Sequence, residues 1–277
     1  MPDALRRADL AGLDPQALRR VFRDGGYRGH TAGLAPGRLQ CNLAIMPLAE
    51  ARAFEEFCAL NPVPCPLAGQ SAAGDPGFPA LGRDIDLRRD VPLYHVYRDG
   101  ALVDRPHDIS DLWRDDMVGF AIGCSFTMEA ALLKAGFPMR HIERDVTVPM
   151  YRSTIETTPA GPFGGAVVVS MRPVHRDRID EVRDLTARFP MAHGAPLHVG
   201  DPAAIGIDLD RPDWGSAVPV GRDELPVFWA CGVTPQVAMM RARLPLCISH
   251  APGAMLITDR DDGTGTGSGT GHDDDNE

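Results

Sequence analysis

Residues 117–134 read MVGFAIGCSFTMEAALLK, and the reading of this run decides the fold. Met117–Ile122 is a continuous apolar run of strand length. Gly123-Cys124 allows a tight turn, and Ser125 or Thr127 can cap a helix starting there. Ser125–Ala135 then has helix formers at helical spacing and no proline. The pattern recurs later in the chain. Val227–Cys231 reads as a strand, Phe228-Trp-Ala-Cys231-Gly-Val-Thr234 passes through Cys and Gly, and a helix runs from Thr234-Pro235 to about Arg243. Both turns fall at the carboxyl ends of their strands, where open α/β sheets place ligands. Side by side, they would offer two helix N-termini, with free N–H groups, to an anion.

Outward from these turns the chain continues to alternate. Asp14-Pro15 opens a helix to about Phe22, Gln40–Met46 is a strand, and Pro47 starts a helix to about Leu60. Asn61–Gly82 reads as a Pro- and Gly-rich loop. Tyr94–Tyr97 and Ala101–Val103 flank the hairpin signal Arg98-Asp99-Gly100. Val146–Ser153 and Ala166–Met171 read as paired strands, and Asp177–Phe189 as an amphipathic helix. Cys247–His250 and Met255–Thr258 close the fold as strands. The expectation is an α/β fold, a mixed-sheet layered α/β domain with a smaller inserted α+β domain. Residues 1–145 and 190–260 would form the main domain and residues 146–189 the smaller one. The Gly-rich acidic stretch 261–277 would be a disordered tail.

Composition narrows the chemistry. The 277 residues carry a formal net charge of −10, of which −6 lies in the tail. An acidic balance argues against a duplex nucleic-acid partner and against a polybasic membrane surface. Lys134 is the single lysine, and Ala135 follows it. That excludes a Walker-type phosphate loop and leaves no evident Schiff-base lysine. Six cysteines, at 41, 58, 65, 124, 231 and 247, form no C-x-x-C pair. They read as reduced, packed thiols in a cytoplasmic protein. No apolar leader and no run of 18 apolar residues is present in the sequence. H-E-x-x-H, G-x-S-x-G and G-x-G-x-x-G are all absent.

Five stretches carry candidate chemistry. In Gly123–Glu129, a helix N-terminus can lower the pKa of Cys124, making it a nucleophile or acid; the alternative is a packed thiol and a solvated Glu129. In PMYR and SMRP, Arg152 and Arg172 end neighbouring strands and can clamp a carboxylate, if they are not paired with local acids. In HGAPLHVGDP, His193, His198 and Asp201 match no zinc spacing and suit general acid–base work better. In PVFWACGVTPQ, Cys231, Thr234 and Gln236 sit where the strand end opens. His250 ends a strand beside a turn and is more readily structural than catalytic.

Taken in order, these blocks resemble the D-glutamate cyclase family. The resemblance begins at Thr31-Ala-Gly-Leu-Ala-Pro-Gly37 and Gln40-Cys-Asn-Leu, and continues through Asn61-Pro-Val-Pro-Cys-Pro66 and Asp90-Val-Pro-Leu-Tyr94. GCSF, PMYR, VVSMRP, HGAPLHVGDP, FWACGVTPQ and His250-Ala-Pro-Gly253 complete it, over about residues 10–260. Ser153-Thr154 stands where the family tends to show Thr-Asn, and Met128-Glu129 where it shows an aromatic-Glu pair. The resemblance implies a two-part α/β fold and a hydro-lyase, in characterised relatives one that converts D-glutamate to 5-oxo-D-proline plus water.

Such a cyclisation needs an anion site, a base and an acid. Arg152 and Arg172 would hold the α-carboxylate, with Ser125, Tyr151, Cys231, Thr234, Gln236 and His250 as further substrate contacts. His198 or Glu129 would take the ammonium proton; His193, Asp201 or Cys124 would protonate the departing oxygen. Intramolecular positioning supplies ~7–11 kcal/mol of such a barrier. The scheme uses no cofactor and no metal. The partner is a small carboxylate or amino-acid substrate, with homodimer formation left open. The alternatives are a dehydratase or hydratase of a small hydroxy-carboxylate, and a non-catalytic carboxylate-binding module.

Overall fold

The computed structural model describes residues 5–262. In chain order the elements are α1 (Pro15–Arg23), β1 (Arg38–Pro47), α2 (Leu48–Leu60), β2 (Leu67–Gln70), β3 (Tyr94–Arg98), β4 (Ala101–Asp104) and β5 (Met117–Gly123). They continue with α3 (Phe126–Lys134), α4 (Arg140–Glu143), β6 (Met150–Glu156), β7 (Ala166–His175) and α5 (Ile179–Thr186). β8 (His198–Val199), β9 (Glu224–Ala230), α6 (Thr234–Ala242), β10 (Cys247–His250) and β11 (Leu256–Asp261) complete the set. Strands and helices mix as the alternating pattern implied, in two sheets.

The first sheet runs β2-β5-β1-β10-β3-β4, with β11 also on β1. β1 is its axis. One edge pairs with β5; the other pairs with β11 at Arg38–Cys41 and with β10 at Ala44–Ile45. Side chains alternate along β1, so both faces are apolar. Leu39, Cys41, Leu43 and Ile45 pack under the 78–91 loop, whereas Ala44 and Met46 meet α2 and α6 through Phe54, Phe57 and Met239. α1 is capped by Asp14, whose carboxylate accepts the Ala17 N–H at 2.7 Å.

The second sheet runs β6-β7-β9-β8. It takes β6 and β7 from 146–189 and β8 and β9 from beyond that stretch. Every described strand pair in both sheets is antiparallel. Its two faces differ. Val174, Val227 and Trp229 pack on α3 and α5. Tyr151, Val169, Met171 and Phe228 pack the other way, on Ile205 and Ile207. α3 is therefore the wedge between sheets: it leaves β5 of the first and covers one face of the second.

Several boundaries move from the sequence reading, three of them for plain local reasons. The Asn61–Gly82 loop contains β2, an edge strand on β5 whose four residues, LAGQ, are too few and too poor in β formers to announce themselves. β6 starts at Met150, because Pro149 has no N–H for the ladder and Thr147 accepts the Ser216 N–H instead. Asp261 belongs to β11, paired with Arg38 at 2.7 Å, and the Asp262 N–H reaches the Gly37 carbonyl. Residues 263–277 of the expected tail lie outside the described residues.

Candidate active site

The two strand-to-helix turns do meet. Asn42, on β1, donates its amide to the carbonyls of Ile122 at 3.2 Å and Gly123 at 2.8 Å. The other turn seats its Gly232 against that same amide, where a Cβ would collide with it. Gly123 is likewise backed by the Met191 carbonyl, leaving no room for a side chain. Cys124 and Cys231 thus enter one apolar cluster with Met150 and Val168. Each thiol accepts an N–H two residues on, from Phe126 and Val233 respectively.

Beside this junction lies a buried charged cluster. Arg172, on the α3-facing side of β7, donates from Nη2 to Glu129 Oε1 at 2.5 Å and from Nε to the same oxygen at 3.2 Å. Its other contacts are the hydroxyls of Ser125 and Ser170, each at 3.1 Å, and its guanidinium lies 5.7 Å from the centre of the Trp229 ring. Both partners are 1% exposed. His141, from α4, brings Nε2 to 2.9 Å from Glu129 Oε1, a charge contact inside the fold. Burial works against the Glu129 carboxylate, and His141 and Arg172 outweigh it, holding its pKa below the usual range.

His193 is the most informative of the predicted residues. It sits in a left-handed conformation (φ 73°) after the turn at Pro190–Ala192 and is 2% exposed. Its Nδ1 lies 2.8 Å from the Val63 carbonyl. A carbonyl only accepts, so Nδ1 carries the proton and Nε2 presents a bare lone pair. That Nε2 is buried without a partner. Burial lowers the ring to about 4, the Val63 bond opposes this, and the Arg172 charge adds to the lowering. His193 is neutral at pH 7.

The thiols bear on the two readings left open for Cys124. A helix N-terminus was to lower Cys124; burial instead raises it well above the ordinary thiol value, and Cys231 is pushed up to about 11. The single N–H each sulfur receives does not offset the loss of water. Both are protonated thiols at neutral pH.

The remaining candidates are separated from Arg172 by sheet face or by distance along the strand. His198 pairs with Phe228 and Tyr151 with Val169, which puts both on the side away from Arg172. His198 Nε2 bonds the Asp201 carbonyl at 2.7 Å, and the Asp201 carboxylate accepts the Ala203 N–H at 3.0 Å. Arg152 pairs in register with Val168, four residues from Arg172, or about 13 Å along the strand. It is exposed beside Asp213 and stacks over Trp214 at 5.0 Å. With Tyr151 and Arg211 it lines a separate cavity of about 220 Å³. The two arginines of the expected clamp are therefore not brought together. Thr234, Gln236 and His250 hold the scaffold. Thr234 Oγ1 accepts the Val168 N–H at 2.9 Å; His250 Nδ1 accepts the Leu43 N–H at 3.0 Å; Gln236 donates to the His250 carbonyl at 3.1 Å. Burial pulls His250 down to about 3, so it is neutral.

Asn42, His141 and Ser170 were missed. Asn42 and Ser170 lay inside the family-like blocks as inward positions on apolar strands, which is the usable signal. His141 lay in the charged run RHIERD, which reads as a solvated turn. Among the described residues no group of three His, Cys, Asp or Glu side chains is placed to hold a metal, and no helix is long and apolar enough to cross a membrane.

Several known proteins resemble the chain over most of its length. A bacterial protein of Jannaschia sp. strain CCS1, provisionally named a hydro-lyase, is 57% identical over 247 residues, covering 89% of this chain and 93% of its own. One from Dinoroseobacter shibae with the same provisional name is 58% identical over 243 residues, covering 87% and 81%. One from Bordetella pertussis is 57% identical over 251 residues, covering 90% of each. Among solved structures, a nitrogen repressor-like protein of Methanococcus jannaschii superposes with a TM-score of 0.38 at 12% identity, covering 89% of this chain and 98% of that one. The family described as D-glutamate cyclase matches residues 118–259, a span that includes both turns, Glu129, Arg172 and His193. The chain belongs to the D-glutamate cyclase family.

Proposed function

We propose that the chain is a hydro-lyase that cyclises D-glutamate to 5-oxo-D-proline with loss of water, at the junction of the 123–125 and 231–234 turns. The observation that carries this reading is the bare, buried Nε2 of His193, a neutral base held in one tautomer beside Arg172. The helix N-termini of α3 and α6 and the Ser125 hydroxyl, itself bonded to Arg172, suit a carboxylate. His193 Nε2 would take a proton from the α-ammonium. The freed amine attacks the γ-carboxyl carbon; the protonated Cys124 thiol would give one proton to the departing oxygen and the His193 imidazolium the second, and the second N–H proton would return to the Cys124 sulfur, restoring both residues. The nitrogen loses two protons and the γ-carboxylate one oxygen, so water leaves with no net proton exchanged. Holding glutamate in a folded shape supplies much of the gain, since intramolecular positioning is worth ~7–11 kcal/mol.

The test is incubation of the full chain with D-glutamate, followed by mass spectrometry and ¹H NMR. Loss of one water and appearance of lactam signals support the reading. Dehydration of a small hydroxy-carboxylate with D-glutamate untouched would instead assign a dehydratase. Tight carboxylate binding with no turnover of either would assign a binding module.

A further inference from the structure

Four buried side-chain atoms without a well-formed hydrogen bond belong to three residues whose charges act on one another: Glu129 Oε2, His141 Nε2 and both ring nitrogens of His30, with His141 Nε2 and His30 Nε2 each in a charge contact with a carboxylate. Buried polar atoms left without partners are costly, and a row of them marks a route that water or protons fill. The inner end is the Glu129–His141 contact of 2.9 Å, where Glu129 also holds Arg172. His141 is covered by Phe126, with the rings stacked at 6.2 Å. α4 packs on the 30–33 segment: a Cβ on Gly33 would sit 3.5 Å from Ile142, the residue after His141. At the outer end His30 Nε2 lies 3.3 Å from Asp145 Oδ1, whose side chain is 60% exposed. His30 and Asp145 then line a cavity of about 360 Å³ with Tyr27, Arg7 and Arg28.

We propose that Glu129, His141, His30 and Asp145 form a hydrated proton path joining the buried Arg172 site to this cavity. The inference rests on the reading of the site as one that dehydrates its substrate. In that reaction the ammonium must be deprotonated before attack, whereas the oxygen is protonated only as it leaves. The two transfers are separated in time, and a path to solvent lets the first proton be stored and the product water escape. A proton reaching Glu129 passes from Oε1 to the His141 ring 2.9 Å away, then through bridging water to His30, and to solvent at Asp145. The charges facing the path are Arg172 at the inner end and Arg7 at the outer, Arg7 bonding Asp145 at 2.6 Å. Tyr27 donates its hydroxyl to the His30 carbonyl at 2.6 Å and so orients the segment without entering the path. Burial and the Arg7 charge lower His30, and the charges of His141 and Glu129 both act on it.

The test has two readouts. In the full chain labelled with ¹⁵N-histidine, the His30 ring resonances should shift in both Glu129→Gln and His141→Gln. In turnover assays His141→Gln should lower kcat on the order of 10²-fold with KM nearly unchanged, and added imidazole should restore part of the rate. His30 resonances unmoved by both substitutions overturn the path. Shifted His30 resonances in a chain that never turns over D-glutamate leave the path standing and remove the substrate assignment.

Discussion

Arg172 and Glu129 meet at 2.5 Å with both side chains almost wholly withdrawn from water, one from a strand of the second sheet and the other from the helix leaving the first. The pair joins the two layers. Breaking one half strands a charge in the interior, which costs about 3–5 kcal/mol, whereas replacing both halves by apolar groups of similar size is often neutral. Arg172→Met alone should therefore lower the unfolding free energy by that amount, and Arg172→Met with Glu129→Leu should recover most of it. Urea denaturation of the two variants decides; an equal loss in both would mean that the pair is not coupled.

His193 should matter to rate rather than to substrate binding. His193→Asn keeps a donor for the Val63 carbonyl but removes the free lone pair, and kcat should fall 10²–10⁴-fold with a near-native melting temperature. A variant that retains full rate would remove His193 from the chemistry.

Arg152 lies outside the cluster, exposed beside Asp213 and Trp214. Exposed pairs contribute about 0–1 kcal/mol. Arg152→Ala should change kcat/KM by less than about threefold. A drop of two orders of magnitude would move the carboxylate site to the cavity that Arg152 lines with Tyr151 and Arg211.

All six thiols are buried, and burial raises Cys41, Cys65, Cys124, Cys231 and Cys247 alike. A thiolate is the reactive form. Titration with a chromogenic disulfide at pH 8 should find almost no reactive thiol in the native chain and six after denaturation. Fast stoichiometric labelling of Cys124 in the native chain would show that its proton is readily lost.

Stability should fall in mild acid before the carboxylates titrate. His193 and His250 have pKa values near 4 and 3 when folded, against about 6.5 in an unfolded chain. Above pH 6.5 both states are neutral and the rings contribute nothing. As pH drops below 6.5 the unfolded state binds protons that the folded state refuses, and stability is lost progressively toward pH 4 for His193 and pH 3 for His250. The His193 contribution over the full window is roughly 3 kcal/mol. Melting temperature measured from pH 7 to 4.5 should decline, and His250→Asn should flatten the slope.

The two strand-turn-helix units were legible because an apolar run, a glycine and a helix-forming run are local signals. Their convergence on Asn42 was not, since it depends on β1 lying beside β5. Arg152 and Arg172 looked alike as strand-end arginines. The alternation Val168, Ser170, Arg172, Val174 on one face of β7 put Arg172 under α3, and only the helix packing above it supplied Glu129, 43 residues away in sequence. His198 and Asp201 sit five to eight residues beyond His193, yet strand parity sends His198 to the opposite face. Proximity along the chain is a poor guide wherever a sheet intervenes.

The pairing of β1 has a consequence for synthesis. Its Ala44–Ile45 edge is completed by Ile248–Ser249, which emerge from the ribosome about 200 residues later. At roughly 5–20 residues per second this is a delay of about 10–40 s. During that interval a ten-residue segment, apolar on both sides, has an open edge able to recruit a neighbouring nascent chain. Yield in cells should therefore depend on translation speed and holdase supply more steeply than the stability of the finished protein would indicate.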